Sequence, residues 1–311
     1  MDTYTSETQR WLDNRFRQAS NDGFFYAHQN IYGFDARFAS AYSEDGVVAR
    51  YVIFWSILKQ LKKLDFDSVL DVGAAEGYMA AVIRDLFGVR VRSCDLSQEA
   101  CKRAKEIFNV DGDTVDGVSL PYPDGSFDVV ITSESLEHIP DYPRVLNELL
   151  RIARKAVIVT VPHDGPEAIA KSLKEKTPHG HLHDFTLESF KDLVPPTYGV
   201  TAEGTRSSFL NLPFRLVEGR PLDPNTRSGF KRPLVKLMNA GMFITKLFMN
   251  QTAFKLLLAI DPFLANRFHT YRGVTYLITK DAKPLTKDLH PNVKIDAVLN
   301  FKVPLVPMAG K

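Results

Sequence analysis

From Ser68 to Pro162, short apolar runs rich in β-branched residues at 68–72, 89–94, 127–132 and 155–161 alternate with helical stretches at about 77–87, 97–108 and 143–154. Such runs need cover on both faces, and the intervening helices provide it. A parallel sheet with crossover helices is therefore the expected core, an α/β architecture. Further strands are expected in VTAEGTRSSF and near 271–280, and helices in GVVARYVIFWSILKQLKK and from Thr186 through FTLESFKDLV.

Several segments stand outside this alternation. Residues 1–45 carry Phe24, Phe25, Tyr26, Tyr32, Phe34, Phe38 and Tyr42 without a clean period, so an irregular cap is expected there. Leu210 to Thr270 is too long for a simple connection and needs structure of its own. Its stretch LVKLMNAGMFITKLFMNQTAFKLLLAIDPF holds three of the six methionines and has helical character. Residues 211–280 contain 11 basic and 3 acidic residues, a net +8 that polarises the chain. The expected organisation is a cap and helix at 1–63, an α/β domain at 64–209 and 270–282, a helical insertion at 210–269 and a tail at 283–311.

Composition narrows the function classes. With 44% hydrophobic and 24% charged residues among 311, the chain has the makeup of a globular protein and none of the apolar poverty of a disordered one. A formal charge of +2 argues against a general nucleic-acid binder, so no nucleic-acid partner is expected. Cys94 and Cys101 lie where a strand ends and the next helix runs, which makes a structural disulfide unexpected and fits a reducing compartment. The start, MDTYTSETQRWLDNRFRQ, lacks the basic head and apolar core of a signal peptide. A cytoplasmic location, or a peripheral one at the inner membrane surface, is the expectation.

The segment SVLDVGAAEGYMAAVIRDLFG reads as a buried strand, a small-residue turn and an amphipathic helix. Gly73, Ala74, Ala75 and Gly77 let backbone approach a ligand, and the helix start offers unsatisfied amides there. In open α/β sheets ligands bind at this carboxyl edge. Asp95 follows Gly73 by 22 residues, at the end of the next strand, where a carboxylate can accept from both hydroxyls of a ribose. The alternative for Asp95 is capping of the helix after Ser97. A carboxylate at Asp71 would repel a pyrophosphate, so a dinucleotide is disfavoured. Together with Glu76 it suits a cofactor bearing an ammonium and a sulfonium.

With DVGAAEG, Asp95 in CDLS, the string DGVSLPYPDGSFDVVITSESLEHI and the later HLHDFT, the chain resembles the class I S-adenosylmethionine-dependent methyltransferases, in particular their type 11 branch. The resemblance covers about residues 65–195 and the strand near 271–280. It departs at Ala75, where the family usually has the middle glycine of its loop. It implies a Rossmann-like seven-stranded sheet, with Asp71 and the Gly73–Gly77 loop, Ala75 included, facing the methionine moiety. It also implies Asp95 on the ribose, Leu96 along the adenine face, Asp116 with the backbone of Gly117 and Val118 on the adenine edge, and Ser133 beside the methyl group.

Methyl transfer from a sulfonium is an in-line displacement with a good leaving group, to which positioning and desolvation are expected to contribute much of the acceleration. A hydroxyl acceptor also needs a base, and histidine suits neutral pH. His163, after VIVTVP, is the preferred base, and His138 in LEHIP is the second candidate. His179, His181 and His183 alternate in HGHLHD, but they coincide with the family's loop over the active site, and no metal is expected. His28 and Tyr32 are further candidates to close over the ligand.

The expected function is O-methylation of a small-molecule, saccharide or lipid-linked acceptor with S-adenosylmethionine as donor. The insertion is a candidate lid or peripheral membrane contact, through apolar residues flanked by Arg227, Lys231, Arg232 and Lys236. N- or C-methylation on the same scaffold, and donor binding without transfer in a regulatory protein, are the alternatives. DNA amino-methylation is disfavoured, because the strand at 127–132 ends in TSES and lacks the N/D-P-P-aromatic string.

Overall fold

The structure is a computed structural model describing residues 3–17, 24–25, 47–175, 179–218, 233, 235–237, 239–241, 250–283, 285–304 and 306–307. Tyr26, His28, Tyr32, Phe34, Phe38, Tyr42, Arg227, Lys231 and Arg232 lie outside the described residues.

The first elements are helix α1 (Thr3–Arg17), the two-residue strand β1 (Phe24–Phe25) and helix α2 (Val47–Leu61). Then come β2 (Ser68–Val72), α3 (Tyr78–Phe87), β3 (Arg90–Asp95), α4 (Gln98–Phe108), β4 (Gly112–Thr114) and β5 (Phe127–Ser133). The series continues with α5 (Tyr142–Ile152), β6 (Ala153–Pro162), α6 (Pro166–Glu175), β7 (Gly199–Thr205) and α7 (Asn211–Glu218). It ends with α8 (Asn250–Arg267), β8 (Gly273–Thr279), α9 (Ile295–Leu299) and β9 (Val306–Pro307).

Seven strands form one sheet in the order β4-β3-β2-β5-β6-β8-β7. The first five are mutually parallel, and β8 runs antiparallel to both neighbours. This is a Rossmann-like mixed sheet. The order reverses between β2 and β5, which opens a crevice at their carboxyl ends. Val69 packs with α2, α3 and α4 on one face, while Leu70 and Val72 pack with α5, Phe185 and Phe190 on the other. Each such fully buried side chain stabilises the fold by about 1.5–3 kcal/mol. Helix α2 is apolar around most of its circumference, as burial demands: Tyr51, Ile53, Phe54, Ile57 and Leu58 are all buried.

Two local expectations need correction, and one strand leaves no mark in the sequence. Residues 3–17 form a regular helix and not an irregular cap; Asp13 anchors it by accepting from Ser97 Oγ at 2.6 Å and the Glu99 amide at 3.2 Å. The stretch after Thr186 is a series of tight turns and not a helix. Its bonds run three residues back (Ser189 to Thr186, Lys191 to Glu188, Leu193 to Phe190), and Pro195-Pro196 ends it. The third parallel strand, β4, is only three residues long, too short to leave a run of its own in the sequence.

Candidate active site

The turn after β2 is built from left-handed backbone. Gly73 has φ +71°, Ala75 +49° and Gly77 +75°. A Cβ at Gly73 would strike the Ser135 hydroxyl, and one at Gly77 would lie 2.9 Å from Ala104 Cβ, so both positions require glycine for conformation and for space. Ala75 carries the strain that a glycine would avoid, of order 1 kcal/mol. Its amide donates to Asp95 Oδ2 at 2.9 Å, tying the loop to the end of β3.

Asp95 is buried, and its Oδ1 accepts from the Ser97 amide at 2.8 Å. Burial raises its pKa, and those backbone amides offset part of the rise. The helix cap itself is Ser97, which accepts from the Ala100 amide at 3.1 Å. Asp95 is therefore the brace between the two loops, and each oxygen keeps a lone pair for a further donor.

Asp71 is 2% exposed, and its Oδ2 has no hydrogen-bond partner. Burial, then the charge of Asp95, pushes its pKa up to about 7, with the Ala80 amide pulling the other way. Thr132 Oγ1, on the adjoining strand, is likewise buried without a partner. Orphaned acceptors in a native interior call for a donor that completes them. Glu76 behaves differently. It is fully buried and pairs with Arg103 at 3.0 Å, so its charge is spent inside the protein and not on a ligand. The sequence did not reveal this, because the partner stands on a separate helix.

Further along the same edge, Asp116 Oδ1 accepts from the Val118 amide at 3.2 Å, in a tight turn that also includes Gly117. The amide expected to meet an adenine nitrogen is thus engaged by Asp116 here. Leu96 is half-buried at the end of β3. The hydroxyls of Ser133 and Thr160 lie 2.8 Å apart. Ser135, two residues beyond Ser133, packs on Gly73, so the β2 and β5 ends form one wall.

The candidate bases occupy different environments. His163 Nδ1 lies 3.0 Å from Asp184 Oδ1, an oxygen that also accepts the amides of Asp164 and Gly165. His138 is largely buried, stacked on His179 with centroids 3.6 Å apart, and burial followed by the neighbouring His179 and His181 drives its pKa down to about 2. His179 in turn stacks on Trp11 of α1 at 5.0 Å and is lowered to about 4, chiefly by burial. His183 turns away to Ile139 O at 3.0 Å. Of the three alternating histidines, His179 and His181 thus both pack on His138, with centroids 3.6 and 4.8 Å away, and His183 leaves the group.

Residues 70–161 match a family model described as a methyltransferase domain. Among curated proteins, the chain is 32% identical over 117 residues to norajmaline N-methyltransferase of Rauvolfia serpentina, covering 34% of this chain and 40% of that protein. It is 33% identical over 117 residues to a probable tocopherol O-methyltransferase of Oryza sativa, covering 34% of this chain and 32% of that one. The chain thus spans well under half the length of these relatives. Among solved structures, phosphoethanolamine N-methyltransferase 2 of Haemonchus contortus, in complex with S-adenosyl-L-methionine, shares the fold at TM-score 0.53 and 16% identity, over 89% of this chain and 60% of that one. The domain match over residues 70–161 and the order of the seven-stranded sheet agree with the crevice geometry: over this region the chain is similar to methyltransferases, and its fold is their Rossmann-like one.

Proposed function

We propose that this protein transfers a methyl group from S-adenosylmethionine to a hydroxyl oxygen of a small-molecule, saccharide or lipid-linked acceptor. The observation that carries the reading is the buried, unpartnered Asp71 carboxylate oxygen beside Asp95, at the mouth of a glycine-lined turn. An ammonium satisfies Asp71, the ribose hydroxyls satisfy the remaining lone pairs of Asp95, and the turn leaves room for the chain between them. When bound, the donor supplies a sulfonium methyl group open to in-line displacement.

The residues of this chain then have two tasks. Asp71, Asp95 and the Gly73–Gly77 turn orient the donor and exclude water behind it. His163 takes the acceptor proton. With Nδ1 held as a donor by Asp184, its Nε2 is left as the acceptor nitrogen. His138, whose basicity burial suppresses, is a much weaker proton acceptor. The His163–Asp184 pair favours oxygen over nitrogen as the methylated atom, because an amine free base needs no such help.

The reading is tested by incubating the protein with methyl-labelled S-adenosylmethionine and a panel of hydroxyl and amine acceptors, with S-adenosylhomocysteine release as readout. His163→Ala is expected to lower turnover on hydroxyl acceptors about 100-fold or more while leaving donor affinity intact. Equal turnover by the variant would remove His163 from the reaction, and transfer to amines alone would overturn the choice of oxygen.

The same proposal extends to peripheral contact with an anionic bilayer through the insertion. Leu256, Ile260 and Phe263 project from one face of α8 and are exposed, Phe263 at 65%, while Phe254, Leu258 and Ala265 bury the opposite face. Among the described residues, no helix is long and apolar enough to cross a membrane. Basic residues dominate this segment, and Lys236 is exposed. Sedimentation with phosphatidylglycerol vesicles at low salt is expected to retain the protein, and charge reversal at Arg227, Lys231, Arg232 and Lys236 is expected to release it. Equal sedimentation of both forms, or of neither, would remove the contact.

A further inference from the structure

We propose that Glu137, His138 and His181 form a binding site for a divalent first-row transition-metal ion, of which Zn²⁺ is the best matched. Their ligand atoms lie within 4.8 Å of one another, with His138 Nε2 3.6 Å from Glu137 Oε1. Tetrahedral coordination at bonds near 2 Å brings ligand atoms to roughly 3.3 Å, so modest side-chain adjustment closes the set.

Independent features support a site over chance proximity. Glu137 is 1% exposed, yet its Oε2 has no hydrogen-bond partner. A buried carboxylate with an unsatisfied oxygen is costly unless a cation completes it. Both rings are also oriented by oxygen acceptors on their Nδ1 side: Gly180 O at 3.4 Å from His138, and Asp164 Oδ2 against His181. A carboxylate or carbonyl behind the ring is the usual means of turning the other nitrogen of a histidine toward a metal. The loop carrying His181 is held to the ligand segment by the Leu182 amide, which donates to Glu137 O at 2.7 Å. The stack of His179 and Trp11 on His138 walls one side.

Two imidazoles and one carboxylate, with positions left over, suit Zn²⁺ and its neighbours and discriminate against Mg²⁺, which prefers an all-oxygen octahedron. The segment that supplies Glu137 and His138 begins at Ser135, which packs on Gly73 of the donor turn. On the transferase reading proposed above, an ion here would hold the acceptor by one of its oxygens. The site itself does not depend on that reading.

The test uses the full chain, stripped with chelator and titrated with Co²⁺ as a spectroscopic stand-in and with Zn²⁺ by calorimetry. One equivalent with visible Co²⁺ bands is expected, displaced by Zn²⁺ and not by millimolar Mg²⁺. His181→Ala should abolish the bands, Asp164→Asn should weaken binding about 10- to 100-fold, and His183→Ala should leave it unchanged. Circular dichroism and S-adenosylhomocysteine affinity, measured on every variant, separate loss of the ion from loss of fold or of the donor crevice. A folded wild-type protein that binds S-adenosylhomocysteine but neither ion at micromolar levels overturns the site, as does undiminished binding in His181→Ala. Loss of donor binding with the metal bands intact would instead overturn the transferase reading alone.

Discussion

Replacing Asp71 with asparagine separates the charge of this side chain from its shape. Burial and Asp95 lift its pKa from the ordinary 3.8 to about 7, a differential cost of about 4 kcal/mol against the ionised form in the donor-free protein. The folded-state value is the higher one, so this group favours the fold at low pH, and its contribution is lost as the pH rises from about 4 through about 7. A cationic donor reverses the preference, because it needs the carboxylate. If only the ionised form binds, apparent affinity follows the ionised fraction and falls roughly 25-fold between about pH 7.5 and about pH 5.5. Calorimetric titration with S-adenosylmethionine across that range, in two buffers of different protonation enthalpy, should show this fall together with proton release. Asp71→Asn should bind about 10- to 150-fold more weakly at the upper pH, as expected for about 1.5–3 kcal/mol of charge-assisted hydrogen bonding, with a flattened pH profile. The donor-free variant should also be the more stable protein above neutrality. A wild-type affinity independent of pH, or the same slope in the variant, would refute the reasoning.

Other outcomes follow from the same geometry. Asp95→Ala should weaken binding of S-adenosylhomocysteine by about 1–3 kcal/mol by calorimetry, and unchanged affinity would contradict a ribose contact. Ala75→Gly should relieve the left-handed strain and leave stability equal or up to about 1 kcal/mol higher in urea unfolding; a clear loss would show that the loop is not strained. Glu76→Ala should cost about 3–5 kcal/mol, because it removes the carboxylate paired with a buried guanidinium, whereas Glu106→Ala, at the exposed 3.8 Å pair with Lys102, should stay within about 0.5 kcal/mol. Similar losses for the two would mean that burial does not govern these pairs.

What the sequence discloses is what local periodicity and spacing encode. The unbroken apolar runs announce a sheet covered on both sides, and the turn after β2 with an acidic residue at the end of β3 announces the crevice. Interactions across the chain leave no such mark. Glu76 meets Arg103 only because α3 and α4 pack closely at Gly77. Helix α1 is one such case, because its anchor, Asp13, is one polar residue set against the start of α4. The turns after Thr186 have helix-like composition, but burial of Phe185 and Phe190 together with Pro195-Pro196 favours a tighter winding. The separation of His183 from His179 and His181, which both pack on His138, accompanies the left-handed backbone of His179, which breaks the extended alternation that spacing alone implies.

The excursion between β7 and β8 leaves and returns at one point, since Thr205 and Gly273 are register partners. Asp261 fastens its root by accepting the amides of Arg206 at 2.8 Å and Ser207 at 2.7 Å. A segment tied at its stem in this way can double in length for only about 0.6 kcal/mol of closure entropy. Length can therefore be added to this segment at little cost in folding free energy, while Phe214, Val217, Phe254 and Leu258, buried in one core with Val69, keep its two flanking helices fixed to the sheet.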